Sequence, residues 1–311
     1  MLARQIVELP SLSVQNRSAK LLGDLDKKIS LNQRTNDYLL ELATALFEHA
    51  LDKSHTEVSL GDIVDLEDSK RIPLNSRDRA QRKGPYPYYG ATAIMDYVDD
   101  YLFDGIRILL GEDGTVISDD GKPILQYVWG KYWVNNHAHI LKASSIYSLE
   151  AIYIALSRTA IKHIVTGAVQ MKISQRNLKN LRLTMPSPDE ISNLNDLFEM
   201  YRQNVEENKA LEALRDSILP KLMSGEIDVS QVEVPMQPNN HLSLRAIGMS
   251  NLNDLLVFEV PALLREKVET KRKVHSISIR LINCVLLNPD AFGHPFNTAP
   301  SYSGWQAKSG A

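Results

Sequence analysis

The chain has 311 residues, 43% of them hydrophobic, with 35 Lys and Arg against 38 Asp and Glu and a formal charge of −3. That composition excludes a chain disordered throughout, supplies the core of one large or two small domains, and argues against charge-driven nucleic-acid binding by the whole molecule. One cysteine, Cys284, excludes a disulfide framework, and neither a membrane-length apolar run nor a signal-peptide pattern is visible, so a cytoplasmic protein with no membrane partner is expected.

Residues 1–10 read as a remnant strand or linker ending in Leu9-Pro10. The segment 11–52 is a long helix, from about Ser13 to about His49, a rod of ~54 Å at ~1.5 Å per residue. Leu22, Leu25, Ile29, Asn32, Asn36, Leu39, Leu42 and Leu46 fall on one stripe of it, at steps of three and four. The same steps recur 172 positions later at Leu194, Leu197, Tyr201, Asn204, Asn208, Leu211, Leu214 and Ile218. Asparagines at matching stripe positions select one alignment, because a slip leaves an amide buried without its partner. The two rods are therefore expected to pair with each other or with those of a second copy.

Residues 53–186 change period. Short runs at Val58–Leu60, Tyr86–Tyr89, Ile106–Leu110, Ile124–Trp129, Tyr132–Val134 and His139–Leu141 are broken by Gly-containing turns. Helices are predicted at Leu149–Arg158 and Gln175–Asn180, with a closing strand at Leu181–Thr184. The fold class is α+β: one compact domain between two long helices. The second rod lies in 187–226, opened by Ser187-Pro188-Asp189-Glu190, a capping-box pattern, and closed near Met223 by Gly225; Pro220 should bend or fray its last turns. The tail, 227–311, holds an amphipathic stretch Leu255–Val274 interrupted by Pro261, an apolar run Ile277–Leu287, and a Pro/Gly/Ser-rich end with no period.

Two surfaces could read nucleic acid. Lys70, Arg71, Arg77, Arg79, Arg82 and Lys83 cluster in a loop suited to phosphate contact, followed by Tyr86, Tyr88 and Tyr89 on an extended segment. From Ala151 to Pro188 there is no acid at all, and Gln170, Lys172, Ser174, Gln175, Arg176 and Lys179 form the second surface. Gln and Arg make bidentate bonds to adenine and guanine edges. The bland counterpart for each is a solvated charged face. Trp129, Tyr132 and Trp133 read as core anchors. His137 and His139 share a strand face, but no third ligand is spaced to join them, and no metal site is expected. Asp96, Asp99, Asp100, Asp104, Glu112 and Asp113 read as loop caps and surface charge. Asp254, Glu269 and Lys271 loosely resemble a magnesium-nuclease triple in a charged-helix context. No phosphate-binding glycine loop or methyltransferase fingerprint is present, and no catalytic residue is assigned.

The chain resembles the second half of a DNA-specificity subunit of type I restriction–modification systems. LGDLDKKISLNQR and LLELATALFEH in the first helix carry the likeness, with YPYYGATAIMDYVDDYLFDG, ILLGEDGT and GKYWVNNHAHIL in the domain. GAVQMKISQRNLKNLRLTMPSP then leads to a helix ending LEALRDSILPKLMSGEI; about residues 5 to 230 are covered. The resemblance implies a target-recognition domain flanked by two conserved helices that form an antiparallel coiled coil, with double-stranded DNA as ligand. It also implies partners that do the chemistry: modification subunits methylating adenine with S-adenosylmethionine, and restriction subunits using ATP and Mg, none of these cofactors being bound by this chain. Where family members carry two recognition domains this sequence has one, so a homodimer, or pairing with another specificity half, is expected. A silent recognition cassette, a coiled-coil scaffold and an independent nuclease are the competing readings.

Overall fold

The computed structural model describes residues 10–167, 170–227 and 229. The remnant strand expected before Pro10 lies outside them, as does the tail from 230 onward with Cys284, the Leu255–Val274 stretch and the Asp254, Glu269, Lys271 triple. The described residues fall into two compact units, 31–205 and 10–30 with 206–229.

Helix α1 (Leu12–Lys53) is free of proline and opens two residues after Pro10. In the 31–205 unit it is followed by β1 (His55–Ser59), α2 (Leu60–Ile63), β2 (Val64–Leu66), α3 (Ser76–Gln81), β3 (Lys83–Tyr89), β4 (Ile94–Val98) and β5 (Phe103–Asp104). Next come β6 (Arg107–Gly111), β7 (Leu125–Val128), β8 (Lys131–Val134), β9 (Ala138–Ala143) and α4 (Leu149–Arg158). The hairpin β10 (Val165–Thr166) and β11 (Lys172–Ile173), α5 (Gln175–Lys179) and β12 (Arg182–Pro186) lead to α6 (Leu194–Met223).

Strand β1 pairs antiparallel with β12, His55 opposite Pro186 through Ser59 opposite Arg182, so the segments that enter and leave the domain clasp each other. One four-stranded sheet has the order β2-β9-β6-β7; the other runs β4-β3-β8-β5, with β3 and β8 parallel. Strand β6 is apolar on both faces because both are covered. Its Ile108 and Leu110 meet the main core with α4, while Leu109 joins Phe103, Val128, Tyr132, Val134, Ala138 and Ile140 in a second core. Strands β2, β4, β5, β10 and β11 and helices α2 and α3 were not among the elements read from periodicity; β2, β5, β10 and β11, of two or three residues, are too short to show a period.

Helix α6 is rooted in the domain by its first two turns. Leu194, Leu197, Phe198 and Tyr201 are buried, and Phe198 packs ring to ring on Tyr127 (5.1 Å) and Tyr153 (5.9 Å), with Trp129 against Tyr201 (6.2 Å). Beneath those rings the Tyr127 hydroxyl donates to Glu150 Oε1 at 2.6 Å, and Arg202 Nη1 donates to the same phenol oxygen and stands 3.4 Å from the carboxylate. Burial pushes the Tyr127 phenol up, and the Glu150 charge pushes it further. The capping box expected at Ser187 does not form: residues 188–191 are a single 3₁₀ turn without a side-chain cap, and Glu190 instead pairs with Lys53 at 2.6 Å.

The long helices pair antiparallel within each unit. In the 31–205 unit Asn36 donates to the Tyr201 carbonyl at 3.2 Å and accepts from Asn204 Nδ2 at 2.8 Å. In the other unit Asn208 donates to the Ile29 carbonyl at 3.3 Å, Arg215 reaches Asp26 at 2.9 Å, and Lys28 lies 3.1 Å from Glu207. Ile29, Asn32, Asn36 and Leu39 are buried on α1, as are Leu194, Leu197, Tyr201 and Asn208 on α6; Leu22, Leu25, Leu46, Asn204, Leu211 and Ile218 are half-buried. Leu42 and Leu214 are placed off this seam, 39% and 48% exposed. On α1 the alternation of three and four simply continues, from Leu39 to Ala43, so the small residue occupies the inner position and Leu42 the outer one. Asn36→Ala should cost about 1–3 kcal/mol, since it removes the acceptor of the Asn204 amide and the added hydrogen bond on the Tyr201 carbonyl together. Urea unfolding of the purified variant measures that cost.

Candidate nucleic-acid interface

The two cationic segments have the same residue types and opposite fates. In the first, α3 is capped by Asn75, whose Oδ1 accepts the Asp78 amide at 2.9 Å, and it folds the loop back onto the β3–β8 face. Arg79 lies over the Tyr88 ring (5.2 Å) and 3.4 Å from Asp96; Arg82 lies over the Trp133 ring (4.9 Å) and pairs with Asp99 at 2.9 Å. Lys83 pairs with Asp96, and Lys70 with Glu67 at 2.7 Å. Tyr88 is fully buried, Tyr86 packs on Tyr101 at 5.1 Å, and Tyr89 packs edge-on against Tyr132. Of the acids expected to be surface charge, Asp96, Asp99 and Asp100 are thus partners of this cluster. Of its cations only Arg77 stands exposed without an ion-pair partner among the described residues.

Arg71 is further committed. Its guanidinium, 13% exposed, donates to Glu112 Oε2 and to the Ala138 carbonyl, both at 2.7 Å, and lies 3.8 Å from Asp68. Asp68, 5% exposed, anchors a buried node. Its Oδ2 lies 2.6 Å from His139 Nδ1 and accepts from Gln175 Nε2 at 2.6 Å, and its Oδ1 accepts the Ile140 amide at 2.8 Å. His139 Nε2 sits 2.8 Å from the Ile173 carbonyl, so both ring nitrogens face acceptors. Sequence spacing did not reveal that Asp68 and Glu112 would join His139, since they come from residues 71 and 27 positions away; His137 turns aside to Asp113 at 2.5 Å. The three ligand types lie close enough to hold a cation. The Arg71 guanidinium already supplies positive charge there, and the ligand atoms are engaged with one another, with Arg71, Lys172 and Gln175, or with the backbone, which fits a structural node better than a metal centre.

The acid-free strip stays outward. Hairpin β10–β11 is pinned by the Ile173 amide to the Glu112 carbonyl (2.8 Å), and Asn177 on α5 donates to the Ile164 carbonyl at 3.1 Å, tying the 162–164 turn to α5. Gln170 is exposed on the hairpin connection, and Lys162, Arg176 and Lys179 are exposed with no ion-pair partner among the described residues. Lys172 lies 3.4 Å from Glu112, and the Ser174 hydroxyl is spent capping α5 on the Asn177 amide at 3.2 Å. Lys162 belongs to this outward set although it had not been singled out; its position in the acid-free stretch was the available signal.

Burial works against ionisation of Asp68, yet the hydrogen bonds from His139 and Ile140 and the Arg71 charge hold its carboxyl below the ordinary 3.8. A depressed folded value means that the unfolded chain binds more protons between that value and 3.8, so the stabilisation is present above pH ~4 and is lost as pH falls through the folded value. Thermal midpoints taken from pH 5 to pH 3 should therefore fall more steeply for the native chain than for Asp68→Asn.

The family model described as the type I restriction modification DNA specificity domain matches residues 53–213. A Haemophilus influenzae protein named as a type I restriction enzyme specificity subunit is 28% identical over 127 residues, 41% of this chain and 32% of that protein. The EcoprrI specificity subunit of Escherichia coli is 22% identical over 130 residues, 42% of this chain and 31% of that one. The matched stretch thus spans about a third of the length of these curated relatives. The crystal structure of the type I restriction–modification S subunit from M. genitalium shares the fold, with a TM-score of 0.51 at 18% identity over 71% of this chain and 62% of that one. With the two clasped strands, the paired long helices and a domain model matching more than half of its length, the chain belongs to the type I restriction–modification DNA-specificity family.

Proposed function

We propose that this protein reads double-stranded DNA on behalf of separate catalytic subunits, through the strip that runs from the 162–164 turn to β12. The supporting observation is the set of exposed, unpaired cations Lys162, Arg176 and Lys179 in a stretch with no acid. A cation with no internal partner is the kind that releases counterions when it meets a phosphate, whereas one already neutralised by Asp or Glu gains little. Arg77 extends the same reading to the α3 loop, with the other members of that cluster shaping its base. The chain holds no cofactor in this reading. Adenine methylation with S-adenosylmethionine belongs to modification subunits, ATP- and Mg-dependent cleavage belongs to restriction subunits, and those partners add phosphate contacts that a chain of net charge −3 lacks.

A single recognition domain reads half of a bipartite site, so two copies, or this copy with another specificity half, would read the whole; a symmetric pair reads an inverted repeat. Bound to the modification subunits, Arg176→Ala and Lys179→Ala should each weaken DNA binding about equally across sequences and lower the salt slope by about 1. Unchanged affinity and slope in both variants would remove the strip from the interface. Mass in solution should correspond to two copies of the 35.0 kDa chain when it is alone, and to two copies plus the bound partners in the complex with the modification subunits. A strict monomer in both states overturns the homodimer.

A further inference from the structure

Gln175 is where the outward strip is gripped from inside. Its backbone opens α5, and its side chain is exposed, yet its amide nitrogen Nε2 donates to Oδ2 of the buried Asp68 at 2.6 Å. A carboxylate only accepts, so the amide has one permitted orientation: nitrogen inward, carbonyl oxygen Oε1 outward. Oε1 takes no hydrogen bond from any described residue. The grip is rigid, because Asp68 is itself held by His139, by the Ile140 amide and by Arg71, and His139 is held by the Ile173 carbonyl two residues before Gln175.

We infer that Gln175 is a specificity-determining residue that receives an exocyclic amino group on a base edge, adenine N6 or cytosine N4, with Asp68 and His139 as its positioning residues. This rests on the proposal that the strip faces DNA. A free glutamine on a surface presents either end of its amide and loses rotamer freedom when it binds; this one has already settled both. Donation to an ionised carboxylate also polarises the amide and strengthens Oε1 as an acceptor. Arg176 and Lys179 on the same short helix supply unpaired cations for the flanking phosphates, and the amide hydrogen not used by Asp68 remains free for adenine N7. The amide would otherwise serve only to complete the hydrogen bonding of Asp68, and that role gives no base preference.

The full chain bound to its modification subunits, offered a random-sequence duplex library, separates the two roles. The native protein should select a bipartite motif, and Gln175→Leu, at an exposed position that leaves Asp68 its other donors, should select the same motif with one position per half-site relaxed. At that position a duplex with purine in place of adenine, or 2-pyrimidinone in place of cytosine, lacks the amino group. It should bind the native protein about five- to tenfold more weakly and leave Gln175→Leu unaffected. An identical motif for both proteins, or an equal response of both to the analogue, overturns the inference while leaving the DNA-reading role intact. Absence of any motif for the native protein overturns that role and the inference with it.

Discussion

The recognition domain depends on one buried contact at the root of α6, the carboxylate of Glu150 held by the Tyr127 phenol and the Arg202 guanidinium under a roof of aromatic rings. An ion pair in such a place adds little net stability over an apolar filling of equal volume, yet losing one member of a buried pair costs about 3–5 kcal/mol. What the pair contributes is a single solution. Aromatic faces such as Phe198 on Tyr127 tolerate sliding, each contact being worth about 0.5–1.5 kcal/mol over a range of offsets. A carboxylate that must meet both a phenol and a guanidinium does not. Together with the five-residue clasp of β1 on β12 it gives the chain one way in and one way out of the domain.

The electrostatics divide along the same inside–outside line. The 70–83 cluster carries six cations in fourteen positions, and most are consumed by Asp and Glu from the 96–100 segment, Glu67 and Glu112. The 151–188 stretch carries a similar number with no acid of its own. Arg158 pairs with Glu48 and Lys172 stands near Glu112, while Lys162, Arg176 and Lys179 meet no acid among the described residues. Local composition therefore predicted availability in one case and concealed its loss in the other. The difference lies in sheet pairing: β4 lies beside β3, which carries the acids of one strand to the bases of the other.

That contrast also explains what could be read in the sequence. Helix α4 was visible residue for residue, and β6 to β9 lay close to their apolar runs, because burial on both faces leaves a run that survives any arrangement around it. The asparagine register was visible because it is written twice. Arg71 was not legible as an interior residue, since its partner Glu112 is 41 positions away, nor was Asp68 as the anchor of His139 and Gln175. Leu42 misled because the repeat was aligned leucine to leucine, whereas helix packing follows position, and the inner position passes to Ala43.

The repeat has a consequence for pairing. Asn36 and Asn208 are 172 positions apart, and so are Ile29 and Tyr201. Asn36 donates to the Tyr201 carbonyl, while Asn208 donates to the Ile29 carbonyl, so exchanging the two helices turns one hydrogen bond into the other. A seam with this property makes each helix an adequate partner for its own copy as well as for its neighbour, because both present the same donor at the same register. The asparagines are satisfied within one chain, however, and a second copy gains nothing from them unless helices are exchanged. Association without exchange would use outward residues, and Leu42 and Leu214 are exposed apolar groups at equivalent points of the repeat. A polar substitution at either would weaken a face-to-face pair and leave an exchanged one unaltered.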